Sequence, residues 1–481
     1  MSAAVLMWFR NDLRLSDNPA LHAAAASGVP VVPVFVLDDE TPGDWRAGGA
    51  SRWWLDGSLA ALGRSLDAIG SRLILRRGPT RDVLARLARD AGAAAIYCSR
   101  GYEPWAGALE AQLKVDLDAM GVALRRHRGT LLFEPESVRT RQGAPFQVYT
   151  PFARAAFADG ETGTLLPAPA TLPPLSRWPV SDVLADWQMR PSRPDWATGL
   201  RAAWQPGEGA ARSRLADYLA EGIALYHDDR NRPDLGGTSR LSPHLHHGEI
   251  SVRQCWQSAR AAAESNPASA RGADTFLKEL LWREFSYHLL THNPSLPDAP
   301  FREPFTRFPW MPNSDHLERW QRGQTGYPIV DAGMRELWTI GWMHNRVRMI
   351  AASFLIKHLL QPWQAGEAWF WDTLVDADLA ANAASWQWVA GSGADAAPYF
   401  RIFNPVKQAE TFDPAGDYVR KWCPELSRMP APEIHAPWTA RPDMLASAGV
   451  MLGRTYPHPI VDHMAARARA LAAFEATKSA P

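Results

Sequence analysis

The sequence predicts an α/β domain with a doubly wound parallel sheet, followed by an all-α domain. Three observations support this fold class. Over residues 1–130, short runs of β-formers alternate with longer runs that carry apolar residues at helical spacing. A proline-rich stretch at 131–205 shows little periodicity and predicts a connector. From 206 to 481 the pattern is helical without a strand-like run, which indicates a helical domain.

Four short runs in the first part read as buried strands because they are rich in apolar and β-branched residues. They are Ala4–Phe9, Val29–Leu37, Leu73–Arg77 and Ala94–Cys98. Longer runs with helical spacing separate them, at Ala50–Ile69, Thr80–Ala91 and Trp105–Met120. No G-x-G-x-x-G follows the first strand, so a dinucleotide site of the Rossmann type is not indicated.

The connector contains Leu166-Pro-Ala-Pro, Leu172-Pro-Pro-Leu and Pro191-Ser-Arg-Pro, which interrupt regular structure. Beyond Gly207 the apolar spacing predicts a series of helices. They are expected at 211–220, 251–264, 275–292, 330–340, 346–360 and 366–374, with a last helix from about His463.

Composition limits the class of protein. The 51 basic and 51 acidic residues cancel, so a polyanionic partner would need a local basic patch. Forty-five of the basic residues are Arg, which suits phosphate recognition but equally fits a codon bias. Cys98, Cys255 and Cys423 lie far apart and exclude a disulfide framework, a four-cysteine zinc site and an all-cysteine iron–sulfur cluster. We expect a reducing cytosol, with no signal peptide and no segment that spans a bilayer.

Tryptophan is abundant, with 22 copies that mostly follow residue 180. Indoles are large core fillers whose N–H needs a partner, so an aromatic core explains most of them. The alternative is that some carry electrons or stack on bases.

The segment Gly236-Gly-Thr-Ser-Arg-Leu-Ser-Pro243 combines a flexible backbone with three hydroxyls. Ser242 followed by Pro243 predicts a helix N-cap with Pro at the first helical position. Such a start can bind a phosphate, although most of them only cap a helix.

The run Phe276-Leu-Lys-Glu-Leu-Leu-Trp-Arg-Glu-Phe285 predicts an amphipathic helix. Glu279, Trp282 and Arg283 fall on one face, which is either a binding wall or a solvated ion pair. The opposite, buried stripe is formed by Leu277, Leu280, Leu281 and Phe285.

Two further segments carry polar groups at helical spacing. Asn345, Arg348 and Met349 share a face in Gly341-Trp-Met-His-Asn-Arg-Val-Arg-Met349, where His344 reads as a structural residue. Asp376 and Asp378 have metal-like spacing but lack further ligands, so pairing of Asp376 with Arg348 is favoured.

Seven motifs taken together resemble the photolyase/cryptochrome flavoproteins, most of all the bacterial cyclobutane pyrimidine dimer photolyases. The resemblance covers nearly the whole chain, through Tyr456-Pro-His-Pro-Ile-Val-Asp462. The motifs are Trp8-Phe-Arg-Asn-Asp-Leu-Arg14, Thr238-Ser-Arg-Leu-Ser-Pro243, Glu279-Leu-Leu-Trp-Arg-Glu-Phe285, Thr325-Gly-Tyr-Pro-Ile-Val-Asp331, Trp342-Met-His-Asn-Arg346, Asp376-Ala-Asp378 and Ala397-Pro-Tyr-Phe-Arg-Ile-Phe-Asn-Pro405.

The resemblance implies that the helical domain binds a folded FAD. It also implies light-driven electron transfer from the reduced flavin to a cyclobutane dimer, with no metal or nucleophile. The positions that match the family's flavin site are Tyr226, Thr238, Ser239, Arg240, Leu241, Ser242, Phe276, Glu279, Arg283, Asn345, Arg348, Asp376, Asp378 and Asn382. Of these, Asn382 matches the residue beside flavin N5.

The resemblance further implies UV-damaged DNA as partner, with the dimer flipped out of the duplex. Glu279 matches the hydrogen-bond partner of the pyrimidines, Trp282 the stacking wall, and Asn345 and Met349 the lining. Arg346 and Gln408 match positions that contact the DNA backbone. The protein is expected to act as a monomer in the bacterial cytosol or nucleoid.

The family's electron chain matches Trp386 nearest the flavin, then Trp363, then Trp310 at the surface. An antenna chromophore is expected in the N-terminal domain, and folate (5,10-methenyltetrahydrofolate) is favoured. The acidic folate contact of the best-known subgroup falls at Ala106, and a Cys-Lys pair falls at Pro297-Asp298. A related subgroup with a segment similar to Trp53-Trp-Leu binds folate differently.

Two alternatives to repair remain open. A cryptochrome photoreceptor would share the flavin and the Trp chain, although the short segment after Asp462 favours repair. A dark flavin oxidoreductase is disfavoured because nothing indicates a nicotinamide site.

Overall fold

A computed structural model describes residues 4–159, 162–395 and 400–479. The start of one family motif, Ala397-Pro-Tyr, lies outside these ranges. The N-terminal part contains a five-stranded sheet, with β1 (Ala4–Phe9), β2 (Val31–Leu37), β3 (Ile74–Arg77), β4 (Ala93–Ser99) and β5 (Ala123–His127). The strand order is β3-β2-β1-β4-β5 and all pairs are parallel. Because the chain leaves β1 in both directions across the sheet, the fold is doubly wound as predicted.

The helices follow in chain order, with short 3₁₀ and π turns between some of them. Up to residue 224 they are α1 (Pro19–Ala25), α2 (Gly49–Ala68), α3 (Thr80–Asp90), α4 (Ala106–Ala119), α5 (Tyr149–Asp159), α6 (Thr198–Ala203) and α7 (Glu208–Asp217). The next are α8 (Tyr226–Asp229), α9 (Ser242–His246), α10 (Val252–Ser265), α11 (Ala270–His292), α12 (Ser314–Gln321), α13 (Pro328–Ile340) and α14 (Asn345–Ser353). The last are α15 (Trp363–Thr373), α16 (Leu379–Ala390), α17 (Pro405–Phe412), α18 (Asp417–Trp422), α19 (Ala431–Ile434), α20 (Pro442–Ala448) and α21 (His463–Ser479).

The three inner strands, β1, β2 and β4, are largely apolar runs because both faces of the sheet are covered there. Along β1, Val5, Met7 and Phe9 pack into one buried cluster, whereas Leu6 and Trp8 pack into another. Alternate side chains of one strand therefore enter different cores, and strict alternation of polar and apolar residues is absent.

The sequence prediction of four strands is confirmed to within two residues at each end. The fifth strand, β5, was missed because Ala123-Leu-Arg-Arg-His127 carries charged side chains and lacks an apolar run. Its position at the sheet edge explains this composition, since an edge strand is only partly covered.

The prediction of an irregular connector over 131–205 was wrong for two stretches, which form α5 and α6. In α5, Phe152 and Ala156 are fully buried. The ring of Phe152 packs against Phe285 of α11, with centroids 5.2 Å apart. Helix α5 was missed because its apolar spacing spans only a few turns within a proline-rich region.

Two predicted helices are shorter than expected because each changes to a π turn. The helix expected at 346–360 is α14 followed by a π turn at Phe354–His358. The helix expected at 211–220 is α7 followed by a π turn at Tyr218–Gly222. Within the described ranges, no helix is long and apolar enough to cross a membrane.

The chain forms two compact units. The first unit holds the residues up to Ala224 together with Ser239–Pro294 and Val375–Asp378. The second holds Leu225–Thr238, Ser295–Leu374 and the residues from Leu379 onward. Helices α7, α9, α10 and α11 thus belong to the same unit as the sheet, whereas α8 belongs to the second unit.

Buried polar contacts explain this grouping in the first unit. The guanidinium of Arg14 donates to the carbonyl of Gly248 at 2.9 Å. The carboxylate of Glu249 accepts from the indole of Trp54 at 3.2 Å and from the backbone N–H of Gly207 at 2.6 Å. Each bond joins segments far apart in sequence, and such buried bonds are costly to break.

Candidate functional site

Helix α11 of the first unit presents the predicted binding face. Leu277, Leu280, Leu281 and Phe285 are buried, as expected for the inner stripe. Glu279 and Trp282 are partly exposed on the other side of the helix. The amphipathic interpretation of this segment is therefore confirmed, and a carboxylate and an indole lie one turn apart on an accessible surface.

Arg283 pairs with Glu284 and not with Glu279. Its guanidinium donates to Glu284 at 3.2 Å and to the carbonyl of Thr130 at 3.1 Å. Burial opposes its positive charge, but the neighbouring Tyr287, Glu284 and Asp378 raise the pKa of Arg283. The cation is therefore fixed in the interior of the unit.

Asp378 lies beside this cation. The hydroxyl of Tyr287 donates to its carboxylate, and His246 Nδ1 lies 3.8 Å away. Although burial alone would raise it, contacts with His246, Arg283 and Tyr287 hold the pKa of Asp378 at about 2. Asp376 is also buried. The first unit thus keeps an ionised carboxylate next to a guanidinium.

The segment that precedes α9 differs from its prediction in one detail. The helix begins at Ser242 itself, without a side-chain cap bond, and Pro243 lies within its first turn. The prediction of Ser242 as N-cap was therefore wrong, because Leu241 already has helical angles and occupies that position. Arg240 has φ +52°, a left-handed conformation that few residues other than glycine adopt.

The remaining predicted flavin positions have mixed exposure. Phe276 is buried, and its ring packs against Tyr218 with centroids 5.2 Å apart. Tyr226 of the second unit is buried. Thr238 and Ser239 are half-buried, whereas Ser242 is exposed.

Helix α14 of the second unit carries the other polar face. His344 caps it by accepting from the backbone N–H of Arg346 at 3.2 Å, which confirms its structural role. Asn345 is exposed, and Arg348 and Met349 are half-exposed. The Nε of Arg348 donates to the Met343 carbonyl at 2.7 Å. Its pairing with Asp376 stays a prediction.

Arg346 lies in a cluster of cations that the sequence did not reveal. Its guanidinium donates to Asn231 at 2.7 Å and lies 4.4 Å above the ring of Phe412. Burial, Arg230 and Arg401 all lower the pKa of Arg346. The repulsion that Arg346 feels from these two guanidiniums is offset when an anion binds beside it.

Gln408 lies in α17, in the same unit. Its Oε1 is buried and accepts no hydrogen bond from the part of the chain that the structure describes. A buried amide oxygen without a donor has a free-energy cost that a bound partner can remove.

Asn382 is buried in α16, and its amide donates to the backbone carbonyl of Glu367 at 3.1 Å. The Glu367 carboxylate is itself buried, and neither oxygen has a hydrogen-bond partner within the described ranges. Burial, and to a smaller extent Asp298, raises the pKa of Glu367 well above its usual value. Sequence reasoning missed Glu367 because an isolated Glu in a helix resembles a solvated one.

The three tryptophans of the expected electron chain all lie in the second unit. Trp386 and Trp363 are buried, and Trp310 is half-exposed. The Trp386 ring meets the edge of Phe370, with centroids 5.0 Å apart. Trp386 and Trp363 are equally buried, and only Trp310 reaches the surface.

The polar groups at the predicted flavin positions fit a flavin dinucleotide. A fixed cation and an ionised carboxylate occur in the first unit, hydroxyls occur at 238–242, and a buried amide occurs at Asn382. Such groups provide donors and acceptors for a diphosphate, a sugar and a ring system.

The comparison with protein families assigns the class. The model described as the FAD binding domain of DNA photolyase matches residues 276–476, and the DNA photolyase model matches residues 5–173. The chain belongs to the DNA photolyase family.

Within that family, the chain is 48% identical to the deoxyribodipyrimidine photo-lyase of Agrobacterium fabrum, over 99% of this chain and 98% of that protein. Its structure matches the crystal structure of a bacterial class III photolyase from Agrobacterium tumefaciens with a TM-score of 0.96 and 48% identity. That match covers 100% of this chain and 98% of the other. Cryptochrome-1 of Arabidopsis thaliana is 38% identical, over 96% of this chain and 69% of that protein.

Proposed function

We propose that the protein is a deoxyribodipyrimidine photo-lyase that uses light to repair cyclobutane pyrimidine dimers in DNA. The observation that carries this proposal is the accessible face of α11, where Glu279 and Trp282 lie one turn apart above a buried apolar stripe. A base needs both groups, a flat surface to stack on and an acceptor for its N–H groups. The family relationship supplies the reaction class.

FAD is the cofactor in this proposal, and when bound it supplies the light-absorbing electron donor. Arg283 and Asp378 provide fixed opposite charges, and Asn382 offers a buried amide held by Glu367. The residues proposed to hold FAD are Tyr226, Thr238, Ser239, Arg240, Leu241, Ser242, Phe276, Glu279, Arg283, Asn345, Arg348, Asp376, Asp378 and Asn382.

The substrate contacts follow from chemistry and exposure. Glu279 accepts hydrogen bonds from the two pyrimidines, and Trp282 provides the stacking surface. Asn345 and Met349 are accessible on α14 and line the dimer. An amide and a thioether there offer one polar and one apolar contact.

The cation cluster of Arg346, Arg230 and Arg401 is the proposed contact for DNA phosphates, with Gln408 as a further backbone contact. The cluster explains how a chain with no net charge binds a polyanion. Binding through phosphates makes affinity fall with salt.

Trp310, Trp363 and Trp386 are proposed to relay electrons inward from the surface. Indole is more easily oxidised than most other side chains. Two of these three indole rings are shielded from water. The remaining indoles are assigned to packing.

The N-terminal 1–130 domain is proposed to bind an antenna chromophore, with folate favoured. The indole N–H of Trp53 supports a bound acceptor near α2, because it is buried without a hydrogen-bond partner in the described ranges. Residues 131–205 form the connector in this proposal, and 206–481 bind flavin and DNA. The protein is expected to act as a monomer in the cytosol.

The test is illumination of the purified protein, with its flavin reduced, in the presence of an oligonucleotide that contains one thymine dimer. Repair is measured as restored cleavage by a restriction enzyme whose recognition site contains the dimer. A sample kept in the dark is the control. Light-dependent repair supports the proposal, and absence of repair by a fully reduced, flavin-loaded sample contradicts it.

A cryptochrome photoreceptor is the second candidate, supported by the similarity to plant cryptochrome-1. Illumination of the oxidised protein, followed by the same dimer assay on the reduced protein, separates the two functions. Photoreduction of the flavin without repair of the dimer would favour the photoreceptor.

A further inference from the structure

Tyr149 of α5 lies flat against Trp282 of α11, within the first unit. The two ring centroids are 3.7 Å apart and the planes are inclined by only 5°. The hydroxyl of Tyr149 donates to the backbone carbonyl of Lys278 at 2.7 Å. The tyrosine is therefore attached to the same helix that carries the indole, one turn before it.

Phe285 completes the aromatic cluster. Its ring meets Tyr149 and Trp282 at steep angles, with centroids 6.0 Å away in both cases. Beneath it, Phe152 of α5 packs against Phe285, so the cluster is anchored by a side chain with 1% exposure. The indole is thus held on one face by Tyr149 and at one edge by Phe285.

This arrangement leaves a pyrimidine only one face of Trp282 to stack on. An indole that is half-exposed and unsupported would change its side-chain rotamer freely, and binding would have to restrict that freedom. Fixing the ring beforehand removes this cost. Stacked aromatic pairs stabilise each other beyond the effect of their burial.

We propose that Tyr149 is a positioning residue for substrate recognition: it covers one face of Trp282 and presents the other face to the flipped dimer. This inference rests on the proposed function, because it assumes that Trp282 is the stacking wall. Tyr149 itself does not touch the reacting atoms. Its loss is expected to weaken binding of dimer-containing DNA and to leave the repair step of bound DNA unchanged.

The test compares Tyr149→Ala, Tyr149→Leu and Tyr149→Phe in the flavin-loaded protein. Dissociation constants for a dimer-containing oligonucleotide are measured by fluorescence anisotropy, and repair per absorbed photon is measured at saturating DNA. Ala and Leu are expected to raise the dissociation constant about three- to tenfold, which corresponds to loss of one stacked pair. Phe keeps the ring and is expected to restore most of the affinity.

Trp282→Ala tests the stacking role of Trp282 separately from the positioning role of Tyr149. If it binds dimers weakly while Tyr149→Ala and Tyr149→Leu bind like the wild type, the positioning role is wrong and the stacking wall stands. If Trp282→Ala also binds like the wild type, the stacking wall itself is wrong. A drop in repair at saturating DNA equal to the drop in affinity would likewise overturn the positioning role.

Discussion

Gly366 of α15 lies directly against the indole of Trp386 on α16. A Cβ atom built on Gly366 would approach Cη2 of Trp386 to 2.1 Å and Cδ2 of Leu355 to 2.7 Å. Both distances are far shorter than a van der Waals contact. Glycine is therefore required for α15 and α16 to pack closely around the buried tryptophan that we place first in the electron chain.

Gly366→Ala is expected to destabilise the protein by about 1–3 kcal/mol, because an overpacked core must displace a side chain. It should also slow photoreduction of the flavin, since the displaced group is Trp386. Thermal unfolding and flavin bleaching under blue light measure the two effects. The matched control is Gly63→Ala in α2, where no atom lies within 4 Å of the new Cβ. That variant should be neutral or stabilised by up to ~1 kcal/mol.

Trp386→Phe should block photoreduction of the oxidised protein while sparing repair by chemically reduced protein. Phenylalanine fills much of the same space but does not give up an electron readily. Transient absorption after blue excitation is expected to show at least a tenfold smaller yield of reduced flavin, an order-of-magnitude expectation for loss of one relay step. Trp196→Phe, at an indole with 39% exposure, is the control. Equal loss of photoreduction and repair would contradict the electron-chain assignment.

Glu279→Ala should lower dimer repair about tenfold or more, because a hydrogen bond to a charged group contributes about 1.5–3 kcal/mol. Flavin should remain bound, since many other residues are proposed to hold it. Repair assays and the flavin absorption of the purified variant check both statements. Glu264→Ala, at an exposed position on α10, serves as control. Loss of flavin from Glu279→Ala would show that Glu279 acts by holding the cofactor and not by contacting the pyrimidines.

Glu367→Gln should make the protein less sensitive to alkaline pH. Burial raises the pKa of Glu367 in the folded state above the value of 4.5 expected when unfolded. In the wild type, the stability that depends on a protonated Glu367 is therefore fully present below about pH 4.5. It is lost as the pH rises through the folded pKa and the buried carboxyl ionises. Melting temperatures from pH 5 to 8.5 should diverge in favour of the variant, by roughly 2–4 °C at the upper end. A constant difference across that range would contradict the ionisation argument.

Arg346→Ala should weaken binding of damaged and undamaged DNA to a similar degree, because phosphates carry no sequence or lesion information. The slope of log affinity against log salt should fall by about one unit. Binding titrations at several salt concentrations measure this slope. Arg89→Ala, at an exposed position of α3, should leave it unchanged. An effect confined to dimer-containing DNA would assign Arg346 to the lesion instead.

The sequence alone determined the fold class and the positions of most elements. Continuous apolar strands, amphipathic helices and turn residues are local signals, and they located β1 to β4 and the long helices. The shared face of Glu279 and Trp282 could also be predicted, because spacing in a helix fixes which side chains share a face. The edge strand β5 and the short helix α5 were not predicted, because their apolar patterns are weak.

Only the tertiary structure decided which distant residues meet. It joined Arg230, Arg346 and Arg401 into one cation cluster, although the charge count of each segment is unremarkable. It placed Tyr149 of a proline-rich connector flat on Trp282, more than a hundred residues away. These relationships depend on how helices pack, and packing energy comes from many contacts between residues that no local pattern links.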